Sequence, residues 1–475
     1  MPAESIGHWD KDALYRSTES LAALILTLQK RPLIRYMASS PMTYQLARSL
    51  SDMLKEDPQL FSFPRVCDTA PILLLLDRSI DPITPLLIPW SYQSMLHEFF
   101  NIKDDRILLD EQDEENQQPA STNTGPIALS FQESRDPFFS ENRLKYYGDV
   151  GLALKTYIQE FFDMRGKHLK IESLSEMKRF TEQHGQFSER EANVQKHVKL
   201  LEKLHNVVDH LSLYEISEFE QSLVSATLSS ASGKKGFGGM YLGLENNASV
   251  DPEAEIIISQ LKSLLSKKLI HDDAMKFKLA VLSIVKLGIY SSRTFSEIKQ
   301  LFPDLTNEQI EFLDSLRRIF SILDIKIECD ASGSNSSAMN IFKDSIFTRA
   351  RQAFSSGIKD DVELVYTRHK PQLQQVIELL IKGKLSDKQF PFFDQPVKEK
   401  PKEAIIFLIN GVTFEEMRLV SLYNAQELGS SLLIGGTCIL NSSRSTTKLS
   451  IQMPTPSRLQ WRCDMLCTAL YNETG

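Results

Sequence analysis

The chain has 475 residues and a mass of 54.1 kDa, longer than the roughly 250 to 300 residues at which one hydrophobic core usually divides, so two or three compact units are expected. Its 42% hydrophobic and 9% aromatic content excludes a disordered scaffold. The 62 acidic and 54 basic residues are interspersed and leave a net charge of -8, which excludes a chain-wide basic surface for nucleic acid or anionic lipid.

The first hundred or so residues are predicted to contain three helices and one buried strand. A helical pattern covers residues 17 to 30, and a second helix, which ends near Leu54, follows the segment "RPLIRY". The run "ILLLL" at residues 72 to 76 predicts a strand, and another helix follows over residues 90 to 100. Because the strand is apolar at every position, both of its faces are expected to be covered in a parallel sheet.

The middle of the chain reads as almost wholly helical. A polar spacer at residues 111 to 126 precedes long amphipathic helices over residues 147 to 223. A loop, "TLSSASGKKGFGG" at residues 227 to 239, divides the helical region in two. The second half contains the segments "LAVLSIVKLGIY" and "NEQIEFLDSLRRIF".

Two further strands are predicted far along the chain. A strand at residues 405 to 409, a helix over residues 414 to 423 and a strand at residues 432 to 434 make a βαβ unit. Neither this unit nor the first strand alone supplies enough strands for a stable sheet. We therefore predict an α/β plus α protein, in which one discontinuous parallel-sheet domain is interrupted by a large, mainly helical insertion.

The predicted domain limits follow from these elements. The discontinuous α/β domain takes residues 1 to 101 and 386 to 445. The insertion comprises residues 102 to 226, a low-complexity loop at residues 227 to 250, and residues 251 to 385. Residues 446 to 475 form a carboxyl tail.

The cysteines and the absence of targeting signals predict a cytoplasmic protein. No apolar run reaches the roughly 18 residues of a membrane span, and residues 1 to 10 lack a signal-peptide pattern. Cys67, Cys329 and Cys438 stand alone, as in a reducing compartment. Cys463 and Cys467 have a spacing found in metal sites but lack a second ligand pair, so neither a metal nor a cofactor is expected.

Sequence motifs for nucleotide binding and proteolysis are incomplete. The three Gly-Lys dipeptides, at Gly166, Gly233 and Gly383, lack the flanking residues of a phosphate-binding loop. His97 and Glu98 begin a zinc-protease motif, but Asn101 stands where the second histidine belongs. These patterns indicate no catalytic site.

The remaining enzyme hypothesis is a metal-dependent phosphohydrolase that uses Asp77 and Asp81 at the end of the first strand. Two such acids normally lie two positions apart so that they share a face, whereas these lie four apart and Pro82 follows the second. Asp81 is therefore expected to be a turn or capping residue, and Asp77 to form a structural ion pair with Arg78.

Several segments resemble one protein family. The run "PILLLLDRSIDPITPLLIPWSYQSMLHEFF" from residue 71 closely resembles the signature of the SM proteins, the Sec/Munc-type regulators of SNARE assembly, and "KRPLIRY" resembles the segment before it. Further matches follow in order: "SEMKRFTEQHGQFSEREANVQKHVKLLEKL", "EFEQSL", "VELVYTRHKPQLQQVIELLIKGKL" and "IIFLINGVTFEEMRLV". The last two are similar to the vacuolar protein sorting-associated protein forty-five branch.

The resemblance implies an arch of three lobes, with the α/β domain as the second lobe and the helical insertion as the third. It implies a non-enzymatic protein that binds a syntaxin-class SNARE and the assembling SNARE bundle, and promotes vesicle docking and fusion. It also implies peripheral association with Golgi and endosomal membranes through these partners, in transport to the vacuole or lysosome.

Three departures from the family pattern affect these expectations. By this resemblance the chain is expected to start inside the second lobe, without the first lobe that supplies the pocket for the syntaxin amino-terminal peptide. Weak or no binding of that peptide is therefore expected, and a truncated product with impaired SNARE binding is an alternative.

The sequence after Asn441 does not resemble the family. At the expected hairpin tip, Gly185 replaces a frequent proline before Gln186 and Phe187.

The candidate SNARE contacts lie at this tip and on the helix after it. Apolar residues cover about half of that helix's circumference at 100° per residue. This arc predicts either burial between two neighbours, with His197 and His205 satisfied inside it, or one stripe open to a SNARE helix. The candidates are Gly185, Gln186, Phe187, Val194, Val198 and Leu201. An exposed Phe187 predicts that Phe187→Ala weakens SNARE binding at an almost unchanged melting temperature.

Overall fold

The computed structural model describes residues 9–63, 69–107, 127–130, 134–168, 174–225, 252–266, 272–288, 292–314, 368–393, 400–426 and 430–442, with residues 132, 270 and 366. Two compact units make up the chain, one of Met1–Leu87 with Glu215–Gly475 and the other of Ile88–Tyr214. The Cys463 and Cys467 pair and the loop at 227 to 250 lie outside the described residues. No described helix has the length and apolar character needed to cross a membrane.

The first unit is built on a parallel sheet with the strand order β1-β2-β5-β6. Its strands are β1 (Leu33–Tyr36), β2 (Ile72–Asp77), β5 (Glu403–Ile409) and β6 (Ser431–Gly436). Ile72 pairs with Ala404 and Asp77 with Ile409, so the two central strands come from opposite ends of the chain. The predicted discontinuous parallel sheet is therefore confirmed.

Helices cover both faces of this sheet, as its continuous apolar runs require. On one face, α1 (Lys11–Leu28) and α2 (Pro41–Glu56) pack against Leu73, Leu75 and Ile405. On the other, α11 (Gln372–Ile381) and α12 (Phe414–Ala425) pack against Leu74, Leu76 and Ile406. Every residue of β2 is buried.

Strand β1 is a finding of the structure rather than of the sequence. Its four residues are too few for a reliable periodicity. They are held by parallel pairing with β2 on one side and by residues 389 to 393 on the other, where Tyr36 N donates to the carbonyl of Pro391 and Phe393 N to that of Ile34. This outer segment covers an edge that would otherwise leave backbone groups unpaired.

Helix α3 and the helices of the insertion divide between the two units. The second unit contains α3 (Tyr92–Phe100), the short antiparallel strands β3 (Arg106–Ile107) and β4 (Ile127–Ala128), α4 (Pro137–Asn142), α5 (Tyr147–His168) and α6 (Leu174–His210). Helix α7 (Leu213–Ser225) follows directly. The first unit also contains α8 (Pro252–Ser266), α9 (Asp273–Ser283), a π-helical turn at Ile284–Gly288 and α10 (Ser292–Gln300).

Candidate functional site

Two places in the molecule can be compared with the sequence hypotheses. One is the carboxyl end of the sheet, where the phosphohydrolase hypothesis placed Asp77 and Asp81. The other is helix α6, which contains all six candidate SNARE contacts. Carboxyl ends of parallel strands are the common location of active sites in α/β folds.

Asp77 ends β2 and caps the turn that follows it. Its carboxylate accepts a hydrogen bond from Ser79 N at 2.8 Å and from the Ser40 hydroxyl at 3.3 Å. Burial raises the pKa of Asp77, and these hydrogen bonds offset only part of that effect. The side chain therefore joins the end of β2 to the start of α2.

Asp81 organises the next turn, as predicted. Its carboxylate accepts hydrogen bonds from the backbone N–H groups of Ile83 and Thr84 at 3.1 and 3.0 Å and from the Thr84 hydroxyl. It also accepts one from Gln372 N at 3.0 Å, at the first residue of α11. Burial opposes ionisation, but His369, Arg78 and the Thr84 hydrogen bonds lower the pKa of Asp81.

Arg78 pairs with Glu416 and not with Asp77, which corrects the sequence prediction. Its guanidinium donates two hydrogen bonds of 2.8 Å to the Glu416 carboxylate, and both side chains are buried. Glu416 also completes a capping box with Thr413 at the start of α12. Sequence spacing gave no sign of this pair because its members lie 338 positions apart.

His369 extends this polar network toward the helices of the same unit. The Thr84 hydroxyl donates its one proton to Asp81, so His369 Nε2, 2.8 Å from the Thr84 oxygen, must be the donor to it. His369 N donates to the Gln221 side chain on α7. The polar groups at this end of the sheet thus join segments that are distant in sequence.

These contacts give both acids structural roles. The oxygens of Asp77 and Asp81 are occupied by hydrogen bonds from the turns after β2 and from Ser40 and Gln372, and the two side chains serve different turns. Within the described residues, no group of three or more His, Cys, Asp and Glu side chains is placed to hold a metal ion. The phosphohydrolase hypothesis gains no support from this geometry.

Helix α6 differs from the predicted hairpin in one respect. It is continuous from Leu174 to His210, so Gly185, Gln186 and Phe187 lie inside a helix and not at a chain reversal. The good helix formers around Gly185, which include Glu, Gln, Lys, Arg and Met, outweigh the cost of about 1 kcal/mol for one glycine. The side chains of residues 185 to 187 lie outside the described part of the structure.

The three remaining candidates on α6 have different environments. Val194 is buried, with 8% of its surface exposed, whereas Val198 is 38% exposed. Leu201 is half-buried. A partner that docks on the free surface of α6 can therefore reach Val198 and part of Leu201, and the placement of Val194 as a contact is corrected by its burial.

The buried side of α6 carries a polar cluster that sequence reasoning described only as satisfied histidines. His197 lies 2.9 Å from Asp136 through Nε2 and 2.9 Å from the Tyr92 hydroxyl through Nδ1, and it has no exposed surface. Lys196 donates to the other oxygen of Asp136. His205, by contrast, is exposed and lies near Tyr147 and Asp209.

Two exposed apolar residues on the neighbouring helix α5 were missed by the sequence analysis. Leu152 and Phe162 each expose about half of their surface. Phe161, next in the chain to Phe162, is buried. The adjacent pair Phe161 and Phe162 was the available signal, because two consecutive helical residues cannot both face the same neighbour.

A split parallel sheet with a long helical insertion defines the structural class, and sequence comparison gives the family. The profile of the Sec1 family matches residues 3–447, so the chain belongs to this family. The resemblance to SM proteins drawn from the motifs is thereby confirmed.

The chain is similar to curated relatives over most of its length. Vacuolar protein sorting-associated protein 45 of Schizosaccharomyces pombe is 31% identical over 449 residues, which are 93% of this chain and 72% of the relative. The human protein of the same name is 29% identical, over 92% of this chain and 69% of its own.

The chain is also similar to solved structures of SM proteins. The SM protein Vps45 in complex with the Qa SNARE Tlg2 is 29% identical, has a TM-score of 0.72 and matches 96% of this chain and 72% of that one. The structure of Vps45 alone gives a TM-score of 0.68 at 28% identity, over 94% of this chain and 68% of that one. Unc18 with syntaxin 1 from Monosiga brevicollis, at 17% identity and a TM-score of 0.61, supports the fold alone.

Proposed function

We propose that this protein binds a syntaxin-class SNARE and promotes SNARE assembly during vesicle docking and fusion. One observation carries the proposal: 96% of the chain is similar to a Vps45 that was solved in complex with the Qa SNARE Tlg2. The proposed transport step is that between the trans-Golgi, endosomes and the vacuole or lysosome, and the names of the curated relatives support its vacuolar destination. The protein associates with these membranes peripherally, through its partners.

Helix α6 is the proposed contact surface for a SNARE helix. Val198 is an exposed apolar residue on an otherwise polar helix surface, next to Lys199 and one turn from Gln195 and Glu202. An exposed apolar residue that is covered by a partner adds to binding without supporting the fold. Leu201 is the half-buried neighbour of this contact, and Gly185, Gln186 and Phe187 extend it toward the start of α6.

Binding of the purified full chain to the soluble part of a Qa SNARE from the same genome tests both proposals. We expect calorimetric binding by the wild type, a loss of about tenfold for Val198→Asp, and an unchanged melting temperature. Gln195→Asp is the matched control, because it places the same carboxylate on the same helix at a polar, exposed position. Lack of binding by the wild type would contradict the function, and equal affinities of Val198→Asp and wild type would contradict the surface.

Assembly needs a second readout. Liposomes that carry the Qa SNARE and its partner SNAREs should fuse faster with the wild-type protein than without it. A protein that binds the SNARE but leaves the fusion rate unchanged would support a holding role and contradict promotion of assembly.

A further inference from the structure

Helix α6 can bury its apolar residues in more than one rotational position. The apolar arc of Val194, Val198, Leu200, Leu201, Leu204, Val207, Val208 and Leu211 spans about half of its circumference. Apolar burial is non-directional and proportional to area. A rotation that brings Val198 into the interior in place of Leu200 or Leu204 therefore costs little apolar contact by itself, and something directional must select the observed position.

Three polar residues on one side of α6 supply directional contacts. Asn193 donates to the carbonyl of Arg135 at 3.1 Å. Lys196 donates to Asp136 and to the carbonyl of Ala128. His197 bonds to Asp136 and to the Tyr92 hydroxyl. Helix α6 is thus fastened both to the start of α4 and to α3.

The protonation state of this cluster follows from its acceptors. The carboxylate of Asp136 caps α4 by accepting from Phe139 N, and its ionised form can only accept, so His197 Nε2 carries a proton. The neutral ring then accepts the Tyr92 hydroxyl proton at Nδ1. Lys196 and Asp136 already balance in charge, so a neutral His197 leaves no uncompensated charge in the interior.

Aromatic rings close the space around His197. The Phe138 ring centroid lies 4.7 Å from that of His197, and the Phe139 ring is stacked on it at 6.4 Å with an interplanar angle of 7°. Any rotation of α6 that carries Val198 inward also moves His197 away from Asp136 and from the Tyr92 hydroxyl, which leaves Asp136 short of one donor and disturbs the packing of these rings. The observed rotation of α6 is therefore favoured over one that buries Val198.

We propose that Tyr92, Asp136 and His197 form a polar clamp that sets the rotation of α6 and so presents Val198 to the SNARE partner. His197 is in this sense a positioning residue, which acts on the partner through Val198. The role in binding rests on the proposed function, whereas the role in fixing the helix does not. The two can fail separately.

The test uses full-length variants and two readouts. His197→Phe keeps a ring of similar volume but removes both hydrogen bonds, and His197→Gln keeps a donor toward Asp136. His210→Phe is the matched control, because it makes the same change at an exposed position of the same helix on the face away from Val198. Amide hydrogen exchange reports on α6 itself, and calorimetry with the soluble Qa SNARE reports on binding.

We expect His197→Phe to raise exchange at residues 194 to 208 and to weaken SNARE binding about fivefold to tenfold, since one or two buried hydrogen bonds no longer favour the competent orientation. His197→Gln should recover part of both effects, and His210→Phe should show neither. Exchange in α1 and β2 should stay unchanged, which separates a local effect from general destabilisation.

A double-mutant cycle decides whether the clamp acts through Val198. In the Val198→Asp background, His197→Phe should cause little further loss of affinity. An equal loss in both backgrounds would overturn the proposal, and so would unchanged exchange of α6 in His197→Phe. If His197→Phe does not fold, Tyr92→Phe, which removes one hydroxyl, carries the same test. If the wild type does not bind the SNARE, the exchange experiment still decides whether the clamp fixes α6.

Discussion

Three charged residues at the carboxyl end of the sheet have structural roles, although acids at such a strand end often belong to active sites. Asp77, Arg78 and Asp81 each bond to a different segment: Ser40 before α2, Glu416 in α12 and Gln372 in α11. None of these partners lies within 35 positions of the pattern in the sequence. The three residues join the strand end to the helices that cover the sheet, and their loss should therefore be felt in stability.

Removal of Arg78 should destabilise the first unit strongly. Arg78→Met leaves the Glu416 carboxylate buried without its guanidinium partner, which typically costs about 3 to 5 kcal/mol in the free energy of unfolding. Urea denaturation measures this loss. The double variant Arg78→Met with Glu416→Gln should recover part of it, because the buried charge is gone and the amide oxygen can still accept from Thr413. A single variant within 1 kcal/mol of wild type, the scale of an exposed pair, would contradict a buried role.

Asp81→Asn should cost more stability than Asp77→Asn. Asp81 uses both carboxylate oxygens as acceptors, for four donors in all. In Asp81→Asn an amide nitrogen, which cannot accept a hydrogen bond, replaces one carboxylate oxygen. The donors to that oxygen are left unpaired, which costs about 1 to 3 kcal/mol in the free energy of unfolding. Asp77 already has a raised pKa, so a neutral amide suits its site better. Comparison of the two unfolding free energies at about pH 7 checks the order, and a larger loss for Asp77→Asn would reverse the assignment.

At the scale of elements, α6 shows how a helix receives its orientation from outside itself. Its buried stripe of Leu200, Leu204 and Val208 continues the face that begins with Asn193 and His197, and His197 contacts α3 and the start of α4. Burial lowers the pKa of His197, and the Asp136 carboxylate offsets only part of this. The lowered pKa of Asp136 also reflects its bonds to His197 and Lys196, which outweigh its burial.

The histidine cluster should make the second unit less stable in mild acid. The pKa of His197 is lowered from its ordinary value of 6.5, so below that value the unfolded chain binds the extra proton more readily than the folded one. Its contribution to stability is thus present above pH 6.5 and is lost as the pH falls. The stabilising contribution of Asp136 is also lost on acidification, because its pKa is lowered too. That loss begins only when the pH falls to near the ordinary carboxyl pKa of 3.8.

Urea unfolding of wild type and His197→Gln at about pH 7.5 and about pH 5.5 measures this effect. The wild type should lose more stability over the interval than the variant, since His369, whose pKa burial also lowers, contributes equally to both proteins. Equal losses would show that His197 does not titrate with unfolding.

For the whole molecule, the order of the strands decides which parts can fold alone. The two central strands of the sheet come from opposite ends of the chain, so the first unit requires both. The second unit, Ile88–Tyr214, is one continuous stretch. It buries an aromatic and aliphatic core of its own that includes Tyr92, Phe138, Phe139, Leu200 and Leu204.

A fragment of residues 88 to 214 should therefore fold by itself, whereas one of residues 9 to 87 should not. The second fragment has only β1 and β2, fewer strands than a stable sheet needs, and one face of β2 loses α11 and α12. Circular dichroism should show cooperative thermal unfolding for the first fragment and none for the second. Cooperative unfolding of residues 9 to 87 would contradict the need for β5.

The extent of prediction from sequence follows from the range of the interactions involved. Strands β2 and β5 and helices α3 and α12 were located within a few residues, because continuous apolar runs and capping residues are local signals. The role of Asp81 in a turn was also local and was predicted. Strand β1 and the course of α6 through Gly185 were missed, since the first depends on partners distant in sequence and the second on the balance of a whole helix.

The sequence by itself determined the class of fold, the split sheet and, through its motifs, the family. These properties are recorded in hydrophobic periodicity and in short segments whose residues are neighbours along the chain. Only the tertiary structure decided that Arg78 pairs with Glu416, that Val194 is buried while Val198 is exposed, and that His197 is held by Tyr92 and Asp136. The physical reason is that an amphipathic helix or a charged side chain accepts many partners of similar energy, and the packing of distant segments selects one of them.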